Sequence, residues 1–236
     1  MTQKDPGDTS RKSIPSSLQI CKEIILLFAV FFLPGYLSQA GEFDPSVFNS
    51  PFYHLQIIVI SLPQILLLLY ILEIEGSFDT NRWGLTRLEI KDIFFAIPIF
   101  LGLAVLMMVI NIVTAYTAGR SGGEGVASLQ WSFSNYRLIP LLLLTTMVNA
   151  YREELFYRFY LLGRLEQLGL NAAAAIGVSS ILFSIGHIYQ GLPGFLLALL
   201  TAFFLAGIYW KTRRFYAVAA AHGLYNFAAL ILSGLI

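Results

Sequence analysis

The feature that most constrains this chain is a series of apolar runs, each about as long as a bilayer is thick. They cover about 20–38, 55–73, 93–117, a fourth beginning near 138, then 172–189, 192–210 and 215–235. A hydrocarbon core of about 30 Å takes about 20 helical residues to cross, and lipid offers no hydrogen bonds to an open backbone. The expectation is therefore an all-α, polytopic transmembrane helical bundle of about seven spans, within limits of six to eight. Composition agrees: 12% of residues are charged, against about 25% in soluble domains. Pro34 and Pro63 lie inside runs, where neighbouring helices can serve the backbone groups that proline frees.

Three stretches organise the chain: a polar tail at 1–19, N-terminal spans and loops at 20–137, and a region at 138–236 that holds the intramembrane charges. With the N-terminus inside, one compartment receives Lys4, Arg11, Lys12, Arg82, Arg87, Lys91, Arg164, Lys211, Arg213 and Arg214. The other receives Arg120 and Arg137. That asymmetry follows the positive-inside rule and predicts a cytoplasmic N-terminus and an outer C-terminus; the expected location is the cell membrane of a prokaryote. Ser38-Gln39-Ala40 resembles the small residues flanking a signal-peptidase cut, but the first helix is expected to stay uncut. The glycine-rich stretch 118–137, with Trp131 and Tyr136, reads as a loop, Trp83-Gly84-Leu85 as a short amphipathic helix at the inner surface, and Gly191-Leu192-Pro193-Gly194 as a tight reversal.

Net charge is +1 with no basic stripe, which argues against nucleic acid as a partner. Cys21 is the single cysteine, so an internal disulfide and a cysteine metal cluster are excluded. The lipid bilayer is the first partner. Oligomeric state is not written in the sequence.

Charge at a helix centre costs about 2.5–3.5 kcal/mol on insertion scales, so the ionisable residues inside the runs need partners or a wet cavity. Glu153 and Glu154 point about 100° apart on a helix. Glu154 can pair with Arg158 four residues on, and this pair reads as structural more than catalytic. Glu153 has no evident local cation, which suits a general base or acid. His187 follows Phe183 and Ser184, and His222 precedes Asn226 by one turn. An imidazole and a carboxamide on one face can aim two N–H groups at a developing oxyanion. Glu153, His187, His222 and Asn226 together imply hydrolysis of a carbonyl compound by activated water. At about 1.5 Å per residue their depths do not coincide unless the fifth helix starts below the surface or tilts. His54, in a loop, is given no role.

No G-x-S-x-G elbow is present, and H-E-x-x-H is absent. A covalent nucleophile is disfavoured, and no cofactor is expected; two carboxylates and two histidines could hold zinc, but not as an obligatory metal. The alternatives are a non-catalytic immunity or scaffold protein and an ion- or proton-coupled transporter. A transporter would more naturally carry charge in both halves.

Glu153-Glu154-x-x-x-Arg158, Phe183-x-x-x-His187 and His222-x-x-x-Asn226, in that order in successive apolar helices, resemble the motifs of the CPBP family. This is the CAAX protease and bacteriocin-processing, or Abi, family, which includes Rce1-type prenyl-protein endopeptidases. The likeness covers about 138–235. It implies a glutamate-type intramembrane endopeptidase in which Glu153 and His187 activate water, His222 and Asn226 form the oxyanion hole, and Glu154 and Arg158 support the site. The family commonly has Arg-Gly where this chain has Arg158-Phe159. The implied substrate is a peptide or membrane-associated protein, prenylated or not.

Overall fold

A computed structural model describes residues 15–38, 44–75, 78–85, 88–121 and 133–233. Most of the polar tail, the residues just beyond Ser38 where a cut was weighed, and most of the glycine-rich stretch with Trp131 lie outside the described residues. The helices are α1 (Ser17–Ser38), α2 (Pro51–Glu75), α3 (Ile90–Ser121), α4 (Ile139–Glu154), α5 (Leu162–Gln167), α6 (Ala172–Ile185), α7 (Gly191–Thr212) and α8 (Phe215–Ser233). A π-helical segment, Leu155–Leu161, joins α4 to α5 without a break. The described residues contain helices and turns and no strand.

Five helices, α1, α2, α3, α7 and α8, are long and apolar enough to cross a membrane. The segment from α4 through α5 carries the charged motif, and α6 has only 14 residues, about 21 Å of rise. Helix α6 starts because the Asn171 side chain accepts a hydrogen bond from the Ala174 amide at 2.9 Å, serving one of the orphan donors of its first turn.

Several local expectations are corrected. The fifth apolar run does not remain helical to 189: α6 ends at Ile185, and the chain reverses over residues 186–190. Gly191–Gly194, expected as the turn, opens α7 instead. His54 is not in a loop but inside α2 and fully buried; one ring nitrogen lies 2.8 Å from the Phe48 carbonyl. Helix α3 continues to Ser121, so Gly119 and Arg120 are helical. Trp83-Gly84-Leu85 is a turn, not a helix. Its tryptophan is buried against Tyr209 and Trp210, with the Arg213 guanidinium 3.7 Å above the ring. Gly84 has φ +78, and a Cβ there would collide with the Arg213 carbonyl.

Helix α4 is the centre of the bundle, packed between α2 and α8, while α3 lies on α8 and α6 on α7. The basic groups assigned to one compartment meet at one end. Arg82 pairs with Glu166 at 3.0 Å, Arg214 with Asp92 at 2.9 Å, and buried Arg164 with Glu23 of α1 at 2.9 Å. At the opposite end Asn49 Oδ1 accepts from the Ser134 and Asn135 backbone amides at 2.7 and 3.0 Å.

Candidate active site

The last turn of α4 supplies two carboxylates with separate surroundings. Glu154 is fully buried. Its Oε2 lies 3.1 Å from Arg158 Nε, and its Oε1 lies 2.8 Å from His222 Nδ1 of α8. Sequence spacing anticipated the first contact but not the second. A carboxylate only accepts, so His222 Nδ1 carries the proton and Nε2 is turned away from Glu154. Nε2 lies 3.9 Å from Glu153 Oε2, too far for a direct hydrogen bond.

Glu153 is less enclosed, with a side chain 13% exposed. Its Oε1 accepts from Asn149 Nδ2 at 2.9 Å. The expectation that it lacks a local cation is corrected: Arg152 Nη2 stands 3.6 Å from the same oxygen. Neighbouring positions on a regular helix do not face each other, but the long arginine side chain can reach the adjacent carboxylate.

Close approach of α8 delivers His222. The next residue is Gly223, and a Cβ there would lie 2.5 Å from Met147 Sδ and 3.1 Å from Met147 Cα. Any larger residue would push α8 off α4. The depth mismatch also resolves in part. Phe215, at the start of α8, is already fully buried and packs on Tyr151 and Phe159. His222 therefore needs only about 10 Å of helix to reach the glutamates.

His187 lies in the turn after α6 and not within a spanning helix. It follows the last residue of the 14-residue α6 by two, past about 21 Å of helical rise. The His187 ring stacks on Phe183 with centroids 4.9 Å apart, and its Nδ1 donates to the Phe183 carbonyl at 3.2 Å. That bond leaves Nε2 as the basic nitrogen of the neutral ring. Glu153, His222 and Arg158 all act electrostatically on His187.

Phe183 is the apolar hub. Its ring also meets His222 at 6.0 Å and Tyr157 at 5.2 Å, and the Arg158 guanidinium lies 4.6 Å from its centre. Arg158 is wholly buried and forms no conventional hydrogen bond among the described residues; its charge rests on Glu154 and the aromatic face. Asn226 is half-buried, one turn beyond His222, and makes no hydrogen bond to the two glutamates or two histidines.

Sequence reading missed Asn149, Arg152 and Tyr189. Asn149 was detectable as a polar residue four before Glu153. Tyr189, which accepts from Gln190 Nε2 at 2.8 Å, reaches Glu153 electrostatically only because the chain turns at 186–190. Among the described residues no three His, Cys, Asp or Glu side chains form a metal-ligand set.

Residues 135–228 match the family model described as Type II CAAX prenyl endopeptidase Rce1-like. That stretch contains every group in the cluster just described. No curated protein and no solved structure matches the chain.

Proposed function

The chain belongs, over residues 135–228, to the Rce1-like family of type II CAAX prenyl endopeptidases, and from that premise we propose that it is an intramembrane glutamate endopeptidase. The observation that carries this reading is the buried succession Arg158–Glu154–His222, ending 3.9 Å short of Glu153. The last gap suits a bridging water.

In the proposed reaction Glu153 and His187 Nε2 take a proton from water as its oxygen attacks the peptide carbonyl carbon. Charge gathers on the carbonyl oxygen, where His222 Nε2–H, in the imidazolium form balanced by Glu154, and the Asn226 amide act as donors. The held proton passes to the amine nitrogen as the C–N bond breaks. Glu154 and Arg158 orient His222 and touch no reacting atom. The substrate we propose is a membrane-associated protein with a C-terminal CAAX-type sequence, presented to a seven-span bundle whose N-terminus is cytoplasmic. The composite from α4 through α5, and α6 with its turn, supply the two spans beyond the five long ones.

The test is cleavage of a farnesylated CAAX peptide by the full chain in liposomes. Wild type releases the C-terminal tripeptide, and Glu153→Ala does not. A wild type that cleaves neither this peptide nor any membrane protein in a comparison of cellular protein termini overturns the reading. The rate is expected to survive strong chelation.

A further inference from the structure

Helix α2 places one amide inside an otherwise apolar stretch, and its surroundings are specific. Gln64 is buried. Its Nε2 donates to the Val30 and Phe31 carbonyls of α1 at 3.1 and 3.2 Å, and its Oε1 accepts from Arg152 Nη1 of α4 at 3.3 Å. Two carbonyls on one side and a guanidinium on the other permit only this orientation of the amide.

The carbonyls are available for a reason written in α1. Residue 34 is proline, inside the helix, and it has no N–H to give to the carbonyl four residues back. That carbonyl is Val30. In lipid an unserved carbonyl is costly, so Pro34 creates a fixed acceptor and Gln64 fills it. The same Arg152 that Gln64 holds presents Nη2 3.6 Å from Glu153 Oε1 and lies 5.6 Å from the centre of the Phe32 ring.

We infer that Gln64, set by the carbonyl that Pro34 frees, is a positioning residue that acts through Arg152 on Glu153. The inference rests on Glu153 being the water-activating group, and it assigns part of the site to α1 and α2, outside the stretch matched by the family. Gln64 holds the guanidinium close enough to steady Glu153 Oε1 and far enough back to leave Oε2 free toward water and His222. With the guanidinium untethered, the carboxylate loses its fixed attitude, and misplacement of a reacting group by about 1 Å can cost about 10²-fold in rate.

The experiment compares wild type, Q64L, P34A, P34A/Q64L, R152M and Q64L/R152M in liposomes, with the farnesylated CAAX peptide as probe and thermal unfolding alongside. Q64L is expected to lower both Tm and kcat, the latter about ten-fold or more, with KM unchanged. In the P34A background the helix serves Val30 itself, so Q64L costs much less in Tm while the loss in kcat persists. In the R152M background Q64L lowers kcat no further. A kcat that recovers with Tm in P34A/Q64L would make Gln64 purely structural and overturn the inference, as would independent, multiplying losses from Q64L and R152M. E153A separates the two readings. An active E153A or an inactive wild type sinks the glutamate mechanism, and this inference with it. An inactive E153A beside a fully active P34A/Q64L sinks the positioning role alone.

Discussion

Helices α1–α3 and the segment from α4 to α8 draw on the same apolar residues, yet they are solvated in opposite ways. Of the spanning windows, 22%, 22% and 17% are buried in α1, α2 and α3, against 33% and 39% in α7 and α8. Ile25, Val59, Leu66, Phe94 and Val105 face outward, while Glu154, Arg158 and Arg164 are wholly enclosed. Lipid solvates apolar side chains, so the first three helices need few protein neighbours. The charged groups have no such solvent, and they concentrate where helices pack on several sides. The halves share an aromatic seam, in which Phe31 and Phe32 meet Phe156, and three polar links cross it: Glu23 to Arg164, Gln64 to Arg152 and Asp92 to Arg214.

Substitution can break that contrast, most severely in the second half. Glu153→Ala and His187→Ala are each expected to lower the single-turnover cleavage rate by about 10²-fold or more, the range of general acid–base catalysis, while inserting normally. Glu154→Gln leaves the Arg158 charge without its counter-ion, and breaking a buried pair costs about 3–5 kcal/mol; unfolding in detergent should show it. Gly223→Val forces α8 away from Met147 at an overpacking cost of about 1–3 kcal/mol, and it should lower kcat as His222 leaves Glu154. At the other extreme, Val105→Ala and Met108→Ala, on the outer face of α3, should change stability by less than about 0.5 kcal/mol and leave cleavage unchanged. A large loss from the α3 pair would mean that this face meets protein and not lipid.

Much of this is legible in the sequence. The apolar runs located the long helices to within a few residues, because span length is set by the solvent. The four-residue spacing of Glu154 and Arg158 read directly as a pair. The glutamates and both histidines were singled out because charge inside an apolar run needs a reason. What escaped depends on departures from regular helix. No residue type signals that Leu155–Leu161 is π-helical, although π-bulges often occur at functional sites. The end of α6 at Ile185 is marked only by Gly186, a stop signal that the apolar run to 189 overrides, so the sequence alone keeps His187 in the helix. Phe215 begins α8 within the bundle, a fact about packing that hydropathy does not encode. Gln64 carries no sequence signal, because its partners are 33, 34 and 88 residues away.

The brevity of α6 has one more effect. Its rise of about 21 Å falls short of a hydrocarbon layer of about 30 Å, and the chain then turns back through Gly186–Gln190, a turn followed by a short 3-10 helix at Ile188–Gln190. Peptide groups at such a depth cannot be left to acyl chains. With α6 as one of the seven spans proposed above, the bilayer would thin there or a wetted vestibule would descend to meet the turn. For the hydrolase proposed above, a helix that stops early would give the second substrate, water, a way in.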